Sequence, residues 1–481
     1  MCSLSVNYGS RCRGANLRMG NNQLNKTVGL AGIIACILLL GMPVTSRAQA
    51  SALSSTSAET DAQRTNWFRQ AKFGMFIHWG PYSLASVEAS WPIMVPAHWN
   101  ITESEYTSLY HQFNPVQFDP QAWVSLAEKA GMRYMVFTTK HHDGFCMFDT
   151  SLTDYKITRT PYGRDVTAML ANAAHQANMP LGFYYSPPDM HHPGYRDTTK
   201  PVKDTSHGDP TRPEWTTYLD YMNAQLRELL TGYGPVAVMW FDGLDHAEKY
   251  KGNQVVELVH HLQPATLVNN RLGVAGDFAT PEQFVPDRIP TRSMADKLRG
   301  IAKPSDTASA ALPSADDFQL WESCMTINGT WAYNKNDTNY KSAKELIQDL
   351  ANVASKGGNL LLDVGPTPEG TIQPEFVERL EAMGKWMAVY GDSIYGTTYG
   401  PLQNLPFGKT TAKGNLVYIH VFDWPTEGQL EVPDFHARVA QITVMGAKRK
   451  LKFQQQEDKL VIQMPPTAPD ASDSVLQVVT R

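Results

Sequence analysis

The chain is short of cysteine and of positive charge, carries no nucleotide-binding glycine motif, and has only one long apolar run. Each shortage excludes something. Five cysteines in 481 residues cannot build a disulfide-dense scaffold. A formal net charge of −5 lacks the basic footprint that nucleic-acid binding requires. Neither G-x-G-x-x-G nor the Walker pattern occurs, which argues against dinucleotides and nucleoside triphosphates. A single apolar run excludes a multi-span membrane protein. What is present is 42% hydrophobic and 10% aromatic residues, enough for a large core and too much for disorder.

The apolar run is Val28–Val44. Arg11, Arg13, Arg18 and Lys26 precede it, and Ser46-Arg47-Ala48-Gln49-Ala50 follows it. A basic stretch, an apolar stretch and an Ala-x-Ala end are the order of a secretory signal peptide. We therefore expect residues 1–50 to be removed and the protein to be exported, periplasmic or extracellular, with no stable membrane association afterwards. That leader holds five basic and no acidic residues, so the remainder carries 37 Lys and Arg against 47 Asp and Glu, a net of −10. Only Cys146 and Cys324 remain, so at most one disulfide is possible.

Residues 51–64, rich in Ser, Ala and Thr, read as a flexible lead-in. From 65 to 399, short apolar runs alternate with helical patterns. The runs are Gly74–Trp79, Tyr134–Thr139, Leu181–Tyr185, Val236–Trp240, Thr266–Asn269, Phe318–Trp321 and Asn359–Val364. Most are continuously apolar, as expected of parallel strands covered on both faces. Trp215, Leu219, Met222, Leu226 and Leu229 repeat at helical spacing, as do Phe376, Leu380, Met383 and Met387. About seven strands interleaved with helices predict a (β/α)8-type TIM barrel. Residues 288–317, rich in Pro, Ser and Ala, read as a long surface loop. Residues 400–481 show short strands and turns without helical period, which predicts a small antiparallel β-sandwich.

Barrel enzymes act at the C-terminal ends of their strands. The apolar runs end on His78-Trp79, Lys140-His141-His142-Asp143, Tyr184-Tyr185, Trp240-Phe241-Asp242, Asn269-Asn270-Arg271 and Trp321-Glu322. One such ending would be ordinary packing; six in succession are not. Imidazoles and aromatic faces suit a neutral, hydroxyl-rich ring, a sugar. Carboxylates at two strand ends supply the pair that glycoside hydrolysis needs. Adjacent histidines on a strand point to opposite faces, and neither H-x-H nor H-E-x-x-H occurs, so we expect no metal and no cofactor. The serine-hydrolase elbow is absent too.

In this order, these motifs resemble glycoside hydrolase family 29, the α-L-fucosidases. The matching stretches are residues 67–80 (WFRQAKFGMFIHWG), 140–145 (KHHDGF), 182–186 (GFYYS), 240–243 (WFDG), 268–271 (VNNR), 321–324 (WESC) and 356–366 (KGGNLLLDVGP), with MGKW at 383–386 and YGDSIY at 390–395. The resemblance implies a retaining enzyme that removes terminal α-L-fucose from a fucosylated oligosaccharide or glycoconjugate. It implies Asp242 as the nucleophile, and His78, Trp91, His141, His142, Tyr185, Trp240 and Arg271 as the sugar-binding shell. Many members carry Glu-Trp after the first strand, where this chain has Ala89-Ser90-Trp91, so Ser90 supplies no carboxylate and Glu88 lies two residues earlier. The acid/base stays open between Glu282, in a Thr-Pro-Glu segment like that of several members, and Glu322. A hydrolase for the related α-L-galactosides and a fucose-binding module without turnover are the alternative readings. The sequence does not set the oligomeric state.

Overall fold

Strands that are apolar on both faces bury both faces, and seven of them here form one wholly parallel sheet. They are β1 (Phe73–Ile77), β2 (Met135–Lys140), β3 (Leu181–Tyr185), β4 (Val238–Phe241), β5 (Leu267–Val268), β7 (Glu322–Thr326) and β8 (Asn359–Val364), in the spatial order β5-β4-β3-β2-β1-β8-β7. Every residue in them is buried. The gap between β5 and β7 is spanned by residues 278–282, which include the two-residue β6 (Thr280–Pro281). Single bridges join Phe278 to Asn269, Ala279 to Trp321 and Glu282 to Cys324. The result is a curled, TIM-like barrel with one abbreviated stave. The computed structural model describes residues 61–95, 99–200, 208–243, 247–300, 312–447 and 449–481; the leader and residues 51–60 lie outside the described residues.

Some helices carry side-chain caps at their starts. Asp119 caps α1 (Pro120–Ala130) by accepting from Ala122 N, and Gly131 closes it at φ 87°. Five helices follow: α2 (Val166–Gln176), α3 (Trp215–Gly232), α4 (Gly252–Leu262), α5 (Ala343–Ser355) and α6 (Pro374–Tyr390). Ser342 and Glu345 form a capping box on α5. The periodic residues of α3 and α6 are the ones that face the core.

Beyond Tyr399 two antiparallel sheets face each other. One contains β9 (Gly408–Lys413), β10 (Leu416–Val421), β12 (Val439–Val444) and β14 (Ser474–Thr480); the other contains β11 (Gln429–Pro433) and β13 (Lys459–Gln463). Ile419, Ile442 and Val478 of the first pack with Val432, Leu460 and Ile462 of the second. The unit is seated on the barrel. Trp386 of α6 donates to the Asp473 carbonyl at 2.8 Å, and Tyr418 and Val475 belong to the barrel's own core cluster.

Three expectations need correction. Residues 61–71 are helical, so the lead-in does not reach residue 64. Phe318–Trp321 is not a strand. Its apolarity reflects packing below the barrel, where Trp321 Nε1 donates to the Lys356 carbonyl, and β7 begins one residue later. The segment 288–317 holds a 3-10 helix (Arg292–Lys297) and a short strand (Arg299–Gly300) before its undescribed part. Cys146 and Cys324 are both buried and free, with no bridge between them.

Candidate active site

The C-terminal strand ends converge on a cavity of about 210 Å³. Asp242, just beyond β4, lies in its wall. Its Oδ1 accepts from Arg271 Nη1 at 2.8 Å and its Oδ2 from the Tyr184 hydroxyl at 2.9 Å, with His142 Nε2 at 3.5 Å. Burial pushes this carboxyl up. The Arg271 charge and the hydrogen bonds from Arg271 and Tyr184 overcome that push and hold it below the usual Asp range, so it is an anion.

Arg271 is itself immobilised. Its Nε donates to Thr280 Oγ1 at 2.8 Å, its plane lies 4.6 Å over Trp240, and its Nη2 pairs with Glu282 Oε2 at 2.9 Å. One guanidinium thus spans two carboxyl groups. They titrate apart. Burial raises Glu282; Arg271 opposes the rise and the Asp242 anion adds to it, leaving Glu282 above the usual Glu range. Two carboxyls with pKa values pushed in opposite directions are the electrostatic signature of a nucleophile and an acid.

Three imidazoles complete the wall, each fixed by a partner behind it. Asp363 Oδ1 holds His78 Nδ1 at 2.7 Å, Ser90 Oγ holds His141 Nδ1 at 2.6 Å, and Ser186 Oγ holds His142 Nδ1 at 2.5 Å. Burial drives all three down, His78 to about 3 and His142 to about 4, so the rings are uncharged. Ser186 spends its proton on the Pro188 carbonyl, so it accepts from His142, whose Nε2 is left a lone pair. Ser90 Oγ also accepts from Asp143 N–H at 2.9 Å, which fixes the hydroxyl that orients His141. His142 thus offers a fixed acceptor to a substrate hydroxyl. Gly144 makes the sharp turn after the doublet possible. It sits at φ 79°, and a Cβ there would strike the Asp189 carboxylate.

His78, Trp91, His141, His142, Trp240, Asp242, Arg271 and Glu282 all line the cavity, with Trp91 at its rim, 40% exposed. Tyr185 does not. In the parallel register Tyr184 pairs with Trp240 and Tyr185 with Phe241. Paired residues share a face, so Tyr184 turns inward and Tyr185 turns outward, where its hydroxyl donates to Gln225 Oε1 at 2.8 Å. Glu322 is also absent from the wall. It opens β7 rather than ending a strand, one inward layer below the cavity-lining Cys324. There its oxygens accept from Trp240 Nε1 at 2.9 Å and from the Tyr134 hydroxyl. Burial pushes it up to about 7. It is fully buried and fully hydrogen-bonded, a support for Trp240.

Sequence reasoning missed Tyr184 as a wall residue, and it missed Trp331. No apolar run marks Trp331. Its loop is held by Glu88, whose carboxylate accepts from the backbone N–H groups of Trp331, Ala332 and Ala89 at 2.9–3.1 Å. Glu88 is therefore occupied with backbone and does not replace the carboxylate that Ser90 lacks. Among the described residues no group of three His, Cys, Asp or Glu is placed to hold a metal ion, and no helix is long and apolar enough to cross a membrane.

Comparison with known proteins agrees with this geometry. The family model described as alpha-L-fucosidase matches residues 41–392, and that of the alpha-L-fucosidase C-terminal domain matches residues 407–479. The tissue alpha-L-fucosidase of Homo sapiens is 28% identical over 442 residues, covering 84% of this chain and 86% of its own. Alpha-L-fucosidase isoenzyme 1 of Paenibacillus thiaminolyticus superposes with a TM-score of 0.76 at 36% identity, over 88% of this chain and 99% of its own. A family 29 alpha-L-fucosidase of Bacteroides thetaiotaomicron superposes at 0.73 with 26% identity, over 87% and 96%. That protein is a Glu-to-Gln variant trapped as a covalent intermediate with 2-fluoro-fucosyl fluoride.

Proposed function

We propose, from the premise that the chain belongs to the α-L-fucosidases of glycoside hydrolase family 29, that it is an exported retaining exo-hydrolase of terminal α-L-fucose. The observation that carries the reading is the Arg271 guanidinium clamped between Asp242 and Glu282. Set side by side on one planar fork, the two carboxyls suit the close spacing of about 5–5.5 Å that retaining enzymes use. Asp242 attacks the anomeric carbon while Glu282 passes its proton to the glycosidic oxygen, and the aglycone leaves as an alcohol. Glu282, now a carboxylate, takes a proton from water. That water opens the Asp242 ester and releases fucose with its configuration retained. Uncharged His78, His141 and His142 bind ring hydroxyls without competing for either carboxylate. Phe76, Trp240 and Trp331 offer apolar faces to the ring's C–H bonds and its methyl group.

Asp242→Ala should retain the fold and lose on the order of 10³-fold or more in turnover. Azide should partly restore the rate and yield a fucosyl azide of inverted configuration. A variant that keeps a tenth of the wild-type rate refutes the assignment. Export is supported by the leader pattern alone. N-terminal sequencing of the mature protein should begin near Ser51; retention of Val28–Val44 overturns it.

A further inference from the structure

At the N-terminal end of the barrel, away from the reacting carboxyls, lies a second cavity of about 320 Å³. Its wall includes the residues just before β1 and β8, together with residues 396–399 and the end of β9 with Gly414 after it. Lys72 lines it and is 2% exposed. It holds a left-handed backbone at φ 61°, and its ammonium donates to the Gly357 carbonyl at 2.9 Å. That carbonyl takes one of three ammonium protons. Arg69 lines it as well, half-buried, 5.8 Å over the Phe318 ring, with Nε at 3.5 Å from Thr65 Oγ1.

These charges are unbalanced. Burial, with the neighbouring Arg69 as a smaller contribution, pushes Lys72 down to about 7; burial likewise depresses Arg69, helped by Arg292. Lys413 stands in the same wall. Among the described residues no carboxylate lines the cavity or offsets either buried cation. Stacking on Phe318 accounts for a half-buried arginine stem. It does not account for a lysine ammonium taken out of water beside a second cation, which is costly unless the amine gives up its proton or an anion joins them.

We propose that this cavity is a binding site for an oxyanion of the phosphate or sulfate class, held by Lys72 and Arg69 with Lys413 beside them. The cavity is larger than a bare oxyanion, and the Phe318 and Tyr399 rings, 5.5 Å apart, flank the charges. A ligand carrying its anion on a flat organic body therefore fits better than the free ion. The site is independent of fucoside hydrolysis, because its residues sit at the opposite strand ends from Asp242 and Glu282.

Calorimetric titration with sulfate, inorganic phosphate and phenyl phosphate at constant ionic strength tests it, on wild type, Lys72→Met and Arg69→Gln. Saturable binding to wild type is expected. Each variant should weaken it roughly tenfold or more, the worth of one charge-assisted hydrogen bond, with aryl α-L-fucoside hydrolysis unchanged. Tighter binding of phenyl phosphate assigns the anion to an organic carrier, and equal affinities assign it to the free ion. Absence of saturable binding in wild type, or wild-type affinity in both variants, overturns the site. Should Lys72→Met not fold, the half-buried Arg69→Gln decides.

Discussion

Glu282 and Glu322 are both carboxyls raised above their ordinary range by desolvation, yet they are built differently. Glu282 faces the cavity with one cation beside it, whereas Glu322 spends both oxygens on Trp240 and Tyr134. Glu282→Ala should slow fucosides with poor leaving groups by about 10²–10⁴ and spare activated aryl fucosides in the first step. Glu322→Gln keeps an acceptor for Trp240 and should slow both substrates alike, and little. The reverse pattern would move the acid to Glu322. The pH profile carries the same information. The proposed roles need Asp242 ionised, so activity should rise as pH climbs past a pKa held below the usual Asp range. They need Glu282 protonated, so activity should fall past one held above the usual Glu range. The wild-type profile of kcat/KM should be a bell whose alkaline limb disappears in Glu282→Gln when activated substrates are used.

At the scale of elements, strands and helices were legible wherever burial and period coincide. Leu181–Tyr185 and Asn359–Val364 begin and end where the apolar runs do, and α3 buries the residues that its spacing marks. The failures share a cause. An apolar run reports that a segment is buried, not that it is extended, so Phe318–Trp321 was mistaken for the strand that follows it. That one-element slip placed Glu322 at a strand end when it opens one. Likewise a run does not report which face is inward; the register with Trp240 does, and it turns Tyr184 rather than Tyr185 into the cavity. Loop residues such as Trp331 leave no periodic trace, because a distant carboxylate positions them. Glu88→Ala tests that link. Leaving backbone donors of the Trp331 loop without their acceptor should cost roughly 1–3 kcal/mol, read in denaturant unfolding. KM for aryl fucoside should rise more than kcat falls, because a wall of the pocket is loosened and the carboxyl pair is not.

For the whole molecule, the β-sandwich is part of the barrel's cover. Trp386 is buried under Asp473, Gln348 of α5 donates to the Ser472 carbonyl, and the sandwich residues Tyr418 and Val475 complete the barrel core. Deleting residues 400–481 exposes these apolar surfaces. The shortened chain should aggregate or unfold well below the full-length protein in size-exclusion and thermal measurements. A monomeric, fully active barrel would show the sandwich to be a mere appendage.

The Arg271 bridge has one more consequence. In the proposed mechanism Asp242 loses its charge on becoming an ester, and in the same step Glu282, having surrendered its proton, acquires one. The guanidinium exchanges one anionic neighbour for the other, and the centre keeps a constant formal charge from resting enzyme through glycosyl-enzyme and back. Nothing ionic has to be drawn from bulk solvent to balance either half of the cycle. Turnover at saturating neutral substrate should therefore be almost indifferent to ionic strength.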